Sequence, residues 1–424
     1  MWTRLVANKI LKMGLGSNNF VADYPIDVPD SLLDFPILEE PSLGGGKNIL
    51  NHHKDTLKYK VFVSTWNVGG TAPEEDLVME DFFDTSGDSY DIYVLGFQEI
   101  VPLKASNVLG SENTNICMKW NSLIRMALNG SRNCRHGSDC EKKRMHGPEF
   151  RCVISKQMVG IFISVWVRGD LRPYISHPSV SCVGCGVMGC LGNKGSVSVR
   201  FQWHETSFCF VCTHLASGGR EGDEKCRTSN AAEILSRTTF PRGPLLNLPR
   251  KILDHDRVIL LGDLNYRISL PEAATREPVD RKEWNTLLDK DQLMMELMNG
   301  QVLQGWHEGK IKFAPTYKYI PNSDLYYGCF QRKKGEKRRS PAWCDRIIWC
   351  GKGLKQHLYT RGESRLSDHR PVKAIFTAEV GVSQTLRGLQ SLFLSKRFNQ
   401  LTTRFEVSSK DDGLLCKGRS SFQI

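Results

Sequence analysis

Two segments, Gly262-Asp263-Leu264-Asn265-Tyr266-Arg267-Ile268 and Pro341-Ala342-Trp343-Cys344-Asp345-Arg346-Ile347, each set an acid at the edge of an apolar β-type run, and they lie far apart in the chain. The pattern recurs. Asn67 follows the alternating run 59–66, Glu99 follows 91–97, His214 follows 207–213, and Asp263 and Asn265 follow 258–261. Asp345 and the pair Asp368-His369 instead stand just before the runs 346–350 and 372–380. If those last strands run antiparallel to the others, all these groups meet on one rim. Singly, each is an ordinary turn former or solvated histidine; their order along the chain is what calls for a common site.

Further β-type runs cover 159–167 and 196–203, and helical spacing fits 114–128, 227–237 and 283–298. The last of these places Leu287, Leu288, Asp291, Met294, Met295 and Met298 at near-helical spacing, its methionine cluster read as core. Many strands with few long helices between them argue against a doubly wound sheet. They predict an α+β fold: a four-layer α/β/β/α sandwich, two mostly antiparallel sheets packed face to face with outer helices. Residues 1–58 carry four prolines and the triplet Gly44-Gly45-Gly46 and read as a mobile N-terminal arm. Residues 59–382 form the main domain, 129–151 a polar surface insertion within it, and 383–424 a basic tail.

Of the 424 residues, 40% are hydrophobic and 24% charged, which permits a sizeable core and excludes global disorder. The formal charge of +11 favours anionic partners: nucleic acid, acidic lipid surfaces or polyphosphorylated small molecules. No run approaches the roughly 20 apolar residues of a spanning helix, and the first residues lack the apolar core of a secretory signal. A reducing compartment with free thiols is therefore expected for the 14 cysteines. Cys209 and Cys212 lie three apart on a strand and face opposite sides, so they do not chelate as a pair. Neither Cys182, Cys185 and Cys190 nor Cys134, His136 and Cys140 has two ligand pairs at zinc-site spacing.

The residue types at the rim suit hydrolysis of a phosphate ester. Such esters are already anionic and repel nucleophiles, and a magnesium ion on oxygen ligands neutralises that charge. Glu99 suits the ligand role, with Asn67 beside it. Asp263, supported by Asn265, is placed to orient a water or take its proton. His369 with Asp345 or Asp368 fits an imidazolium whose tautomer is fixed by an acid, and His214 is a further donor. No Cys-x5-Arg loop is present, which favours direct attack by water over a phosphocysteine.

These motifs resemble those of the inositol polyphosphate 5-phosphatases, members of the superfamily that includes DNase I-like endonucleases. The resemblance spans about residues 59–380 and includes Thr65-Trp66-Asn67-Val68, Gly96-Phe97-Gln98-Glu99, Gly192-Asn193-Lys194-Gly195, Thr213-His214-Leu215, Gly262–Ile268, Pro315–Tyr319, Pro341–Ile347 and Ser367–Pro371. Pro-Ala-Trp-Cys-Asp-Arg-Ile is the most specific of them. Gln98–Leu103, with a long insertion after it, is similar to the plant branch, and a type I enzyme is expected. The resemblance implies magnesium-dependent removal of the 5-phosphate from phosphatidylinositol 4,5-bisphosphate and 3,4,5-trisphosphate, from soluble inositol polyphosphates, or from both. It implies that Tyr317, Lys318, Lys337 and Arg339 read the neighbouring phosphate, and that Lys194 and Arg346 also contact substrate. It further implies a cytoplasmic protein in peripheral contact with anionic membranes such as the plasma membrane, with a nuclear location left open and no nucleic-acid partner. The competing readings are an endonuclease of the same superfamily and a non-catalytic phosphoinositide-binding scaffold.

Overall fold

A computed structural model describes residues 19–23, 55–74, 77, 79, 81–83, 90–110, 112, 114–130, 149–243, 247–328 and 339–382. In chain order its elements are β1 (Asp55–Asn67), β2 (Ile92–Gln98), α1 (Ala105–Leu109), α2 (Thr114–Asn129), β3 (Phe150–Met158), β4 (Ile161–Arg168), β5 (Ile175–Gly184), β6 (Gly195–Trp203), β7 (Thr206–His214), α3 (Asp223–Arg237), β8 (Arg257–Asp263), α4 (Glu272–Asp280), α5 (Trp284–Leu288), α6 (Gln292–Asn299), β9 (His307–Glu308), β10 (Asp345–Cys350), β11 (Leu354–Arg361) and β12 (Val372–Val382). They build two six-stranded sheets, ordered β11-β12-β1-β2-β4-β3 and β5-β6-β7-β8-β10-β9. The expected α+β sandwich is the observed fold. β1 runs parallel to β2 and β7 parallel to β8, while β10 runs antiparallel to β8.

Two units divide the chain: Met1–Pro41 with Lys58–Val380, and Ser42–Leu57 with Gly381–Ile424. The first carries everything below. Of the second, only 55–57 and 381–382 are described, as the outer ends of β1 and β12.

Side-chain alternation sorts the apolar residues into layers. On β7, Phe208, Phe210 and Cys212 point into the middle layer, where they meet Val94 and Ile163 of the opposite sheet. Cys209 and Val211 point outward and pack with Ile234 of α3 and Leu293 of α6. On the other outer face, Trp120 and Ile124 of α2 cover Trp66, Phe97 and Trp166. Burying each of these large side chains contributes on the order of 2 kcal/mol. The ten described cysteines of this chain carry no disulfide.

The sheets approach closely at Gly96. A Cβ there would lie 2.8 Å from Leu261 Cδ1 and 2.9 Å from Cys212 Sγ, both on the facing sheet.

Three features differ from the sequence reading. The helix expected over 283–298 is two helices: α5 ends at Leu288, and Asp291, in extended backbone, caps α6, its side chain accepting from Met294 N at 2.9 Å. The break changes the facing of the methionines: Leu287 is buried, but Met295 and Met298 are exposed rather than core. Secondly, part of the expected arm is ordered against the domain. Val21 bridges Ser155 of β3, and β1 already begins at Asp55. Thirdly, the insertion after α2 is closed at its base. Asn129 Nδ2 donates to Phe150 O at 2.9 Å, and Phe150 N donates to Asn129 Oδ1 at 2.7 Å. Residues 131–148, with Cys134, His136 and Cys140, and the tail 383–424 lie outside the described residues.

The Gly96 contact makes a direct prediction. Gly96→Ala is expected to destabilise the fold by about 1–3 kcal/mol through overpacking, read as a lower denaturant midpoint. Gly219→Ala, where a Cβ would meet nothing within 4 Å, is the near-neutral control.

Candidate active site

The strand ends assemble the rim. Asn67 is the last residue of β1, and Glu99 follows the last residue of β2. His214 and Asp263 end the parallel pair β7 and β8 and stand opposite each other in register. Asp345 opens the antiparallel β10 directly across from Asp263. The start of β12 lies beside the end of β1: Ser64 Oγ donates to Val372 O at 3.1 Å, and Trp66 Nε1 to His369 O at 3.1 Å. Gly262 is required by close approach. Its φ is +149°, and a Cβ would sit 2.0 Å from Thr213 O. Asn265 adopts a left-handed turn at φ 56°, which asparagine tolerates better than most residues. That turn directs its N–H to Asp263 Oδ1 at 3.0 Å.

Asp263 is almost wholly buried and held from several sides. Asn67 Nδ2, from the opposite sheet, donates to its Oδ2 at 2.9 Å, and His214 Nε2 lies 3.2 Å from the same oxygen. Burial works against its charge, but the His214 hydrogen bond and the charges of His369 and Lys194 prevail and hold the carboxyl well below the usual range. Burial, then the Lys194 charge, depress His214 and keep its ring neutral, with Asp263 opposing. His214 Nε2 also meets Lys194 Nζ, while its Nδ1 is buried without a partner among the described residues. His214 thus acts on Asp263 rather than standing open to solvent. Burial draws Lys194 down to about 8, against the pull of Asp263 and Glu99.

A second pair faces this one. His369 Nδ1 donates to Asp345 Oδ2 at 2.8 Å, and Thr316 Oγ1 donates to the same oxygen at 2.7 Å. Burial disfavours the imidazolium, but Asp345, then Asp263 and Asp368, push His369 up to about 9. Burial raises Asp345, opposed by His369. With Nδ1 committed to Asp345, Nε2–H is the ring's remaining donor. Asp368 does not touch the imidazole ring in this way. Its Oδ2 pairs with Lys318 Nζ at 2.5 Å, so Asp345 is the acid that fixes His369.

The basic residues divide. Tyr317 is buried and packs its ring 4.6 Å from that of His369. Lys318 is engaged with Asp368. Arg339 lies close enough for its charge to lower the Tyr317 hydroxyl, which burial raises. Lys337 lies outside the described residues. Arg346 departs from the expectation of a substrate ligand: it is fully buried, with Nη1 on Asp291 at 3.0 Å and Nε on Glu308 at 2.6 Å. Its fork is consumed by two acids, so it braces β10 behind Asp345. Arg267 and Thr316, within the Gly262–Ile268 and Pro315–Tyr319 motifs, carry no expected role from sequence but join the site. Arg267 Nη2 donates to Asn265 Oδ1 at 2.5 Å, and its guanidinium lies 4.4 Å from the Tyr317 ring centre, linking the two halves of the rim.

Among the described residues, the close set of possible metal ligands is Asp263, Asp345 and His369, with donor atoms within 4.8 Å of one another. The imidazolium state makes His369 a partner of Asp345 rather than a ligand. Glu99 fits a cation better. Its carboxylate is partly exposed, and its contacts are long: 3.5 Å to Asn67 Nδ2 and 3.8 Å to His214 Nε2. Among the described residues, Asn67 Oδ1 accepts only Gly69 N, at 3.0 Å, leaving one lone pair. A carboxylate and an amide oxygen are hard donors that suit magnesium or calcium.

Residues 64–375 match the family described as Endonuclease/Exonuclease/phosphatase family 2. The chain is 63% identical over 416 residues to type IV inositol polyphosphate 5-phosphatase 9 of Arabidopsis thaliana, covering 97% of this chain and 99% of that one. It is 45% identical over 439 residues to type I inositol polyphosphate 5-phosphatase 8 of the same plant, covering 95% and 91%. Among solved structures it resembles the inositol polyphosphate 5-phosphatase domain of SPsynaptojanin in complex with inositol (1,4)-bisphosphate and calcium ion. That match has 30% identity and a TM-score of 0.66, and covers 84% of this chain and 94% of that one. Cimex nitrophorin in its ferrous NO complex, at 17% identity and a TM-score of 0.54 over 76% of this chain and 99% of that one, shares the fold alone. The relatives carry both type names, so the expected type I branch goes no further than the shared family.

The His369–Asp345 pair sets a titration. His369 is raised from 6.5 to about 9, so the stability this pair contributes is complete below pH 6.5 and fades as pH rises through 9. NMR titration is expected to place the His369 imidazole near 9, and at least ~1 unit lower in Asp345→Asn.

Proposed function

Because the chain belongs to the inositol polyphosphate 5-phosphatases of the endonuclease/exonuclease/phosphatase family, we propose that it hydrolyses the 5-phosphate of phosphatidylinositol 4,5-bisphosphate and 3,4,5-trisphosphate, of soluble inositol polyphosphates, or of both, with magnesium and by direct attack of water. The observation that carries this reading is Asp263, kept ionised while buried and aimed by Asn67 from the opposite sheet. A carboxylate so fixed orients a water and accepts its proton. His369, charged at neutral pH, presents Nε2–H to a phosphoryl oxygen, where a donor is worth most as negative charge develops. Tyr317 packs against the same ring and keeps its orientation. Lys194 adds positive charge beside Asp263. Glu99 and Asn67 would hold the magnesium ion, which supplies Lewis-acid polarisation and neutralises phosphate charge when bound.

Thiol chemistry is disfavoured on the same ground. Burial pushes Cys212 up to about 12 and raises Cys344 further, so neither offers a thiolate beside the rim. Recognition of the phosphate next to the scissile one falls to Lys318, Arg339 and Lys337, with Asp368 holding Lys318 in place. The charge of +11 supports peripheral contact with an anionic bilayer on the cytoplasmic side. No described helix is long and apolar enough to cross a membrane.

Phosphate release from a panel of 4,5-bisphosphorylated lipid, 3,4,5-trisphosphorylated lipid and soluble inositol polyphosphates, with magnesium and then with chelator, tests the reading. Turnover that chelator abolishes is expected. Nicking of plasmid DNA without phosphate release would favour the endonuclease, and binding without turnover the scaffold. Asp263→Asn is expected to lower kcat about 10²–10⁴-fold with little change in thermal stability. Arg339→Ala is expected to raise KM for substrates with a 4-phosphate several-fold and to leave those without it nearly unchanged; steady-state kinetics on matched substrates checks this.

A further inference from the structure

β3 is the last strand of its sheet, and an open edge is a template for another extended chain. Here the edge is filled. Val21 N donates to Ser155 O at 2.9 Å, and Ser155 N donates to Val21 O at 2.8 Å. Asp23 N donates to Cys152 O at 3.0 Å, and Lys156 Nζ donates to Asn19 O at 2.6 Å.

Two side chains of this segment are read, and one is not. Phe20 packs against the central core. Val21 is 66% exposed and contributes backbone only. Asp23 does the most. The β3 register shifts between Cys152 and Ile154, and beside this irregularity the acceptor for Cys152 N–H is the Asp23 carboxylate, at 2.8 Å, rather than a ladder carbonyl. Its other oxygen accepts Arg125 Nη2 at 2.5 Å. Arg125 belongs to α2 and lies over the Trp166 ring at 5.0 Å, so the same cation spans the segment and the helix-covered face of the sheet.

We propose that the outer edge of β3 is a strand-addition site for an extended segment carrying an aromatic residue and, three positions on, an aspartate, and that this chain fills it in cis with Phe20–Asp23. Main-chain bonds supply affinity at such an edge, and side chains supply selection. The segment buries one apolar side chain and forms few backbone bonds, which places it among the elements that open locally before the sheets do. Held in cis, it denies the edge to the same segment of a second copy.

The test uses the full-length chain with Phe20→Ala and Asp23→Ala together, and a labelled peptide spanning residues 17–25. Phosphate release by the double variant is expected to match the parent, because neither residue lies at the rim. The Ser155 and Cys152 amides are expected to lose hydrogen-exchange protection. The peptide is expected to bind the double variant at least ~10-fold more tightly than the parent, whose own segment competes at high effective concentration. Arg125→Ala added to the double variant is expected to remove that binding. Self-association of the double variant that the peptide reverses would also support the site. Unchanged protection at Ser155 and Cys152, absence of peptide binding, or binding indifferent to Arg125 would overturn it. Should the double variant fold poorly, two single changes decide: Asp23→Ala, which removes the acceptor of Cys152 N–H and the partner of Arg125, is expected to lose protection at the Cys152 and Ser155 amides, while Val21→Ala, whose side chain is exposed, is expected to keep it. Equal protection in the two variants sinks the proposal whatever the substrate panel gives.

Discussion

Two hydrogen bonds that cross from one sheet to the other, Asn67 to Asp263 and His369 to Asp345, hold the rim together. Each joins a residue beside β1 or β12 to one on β8 or β10, so neither pair exists until the sheets have packed. The register of the middle layer therefore sets the chemistry of the edge. Gly96 is part of the same constraint, because it sets how near Leu261 and Cys212 come to β2. An error of an ångström in that packing would separate Asp263 from the amide that orients it. The buried acids would then lie in low dielectric without their partners, an arrangement strongly disfavoured.

The site is also a balance of charge. Asp263, Asp345 and Asp368 crowd one end of the sandwich, and His369, Lys194 and Lys318 are set among them. The two histidines respond in opposite senses. His369, backed by Asp345 with other acids near, gains a proton; His214, pressed by burial and Lys194, loses one. Two imidazoles of one rim thus hold different charge at the same pH. Environment, not residue type, makes that division.

Much of this was legible in the chain. Apolar runs buried on both faces, such as β2 and β7, announce themselves, and so do the polar residues that end them. The antiparallel return of β10, needed to bring Asp345 to Asp263, followed from the acid standing before its strand rather than after it. What escaped notice has physical causes. β11 is an edge strand with mostly polar, half-exposed residues, and β5 is interrupted by an irregularity between Ser176 and Ser179, so neither alternates cleanly. The break between α5 and α6 depended on a cap whose carboxylate also answers to Arg346 from a distant strand. Arg346 itself reads as a phosphate ligand by charge and motif. Only three-dimensional placement reveals the two acids that consume it, and no local pattern in the sequence names Glu308 as one of them.

The pair of hydrogen bonds between Asn129 and Phe150 has a consequence for the length of chain it closes. By fastening α2 to the start of β3, a single amide side chain makes the sheet indifferent to how many residues run between them. Closing a longer excursion is disfavoured only logarithmically, roughly 0.6 kcal/mol per doubling of length. A change of length between Asn129 and Phe150 would therefore leave α2, β3 and the strands beside them in place.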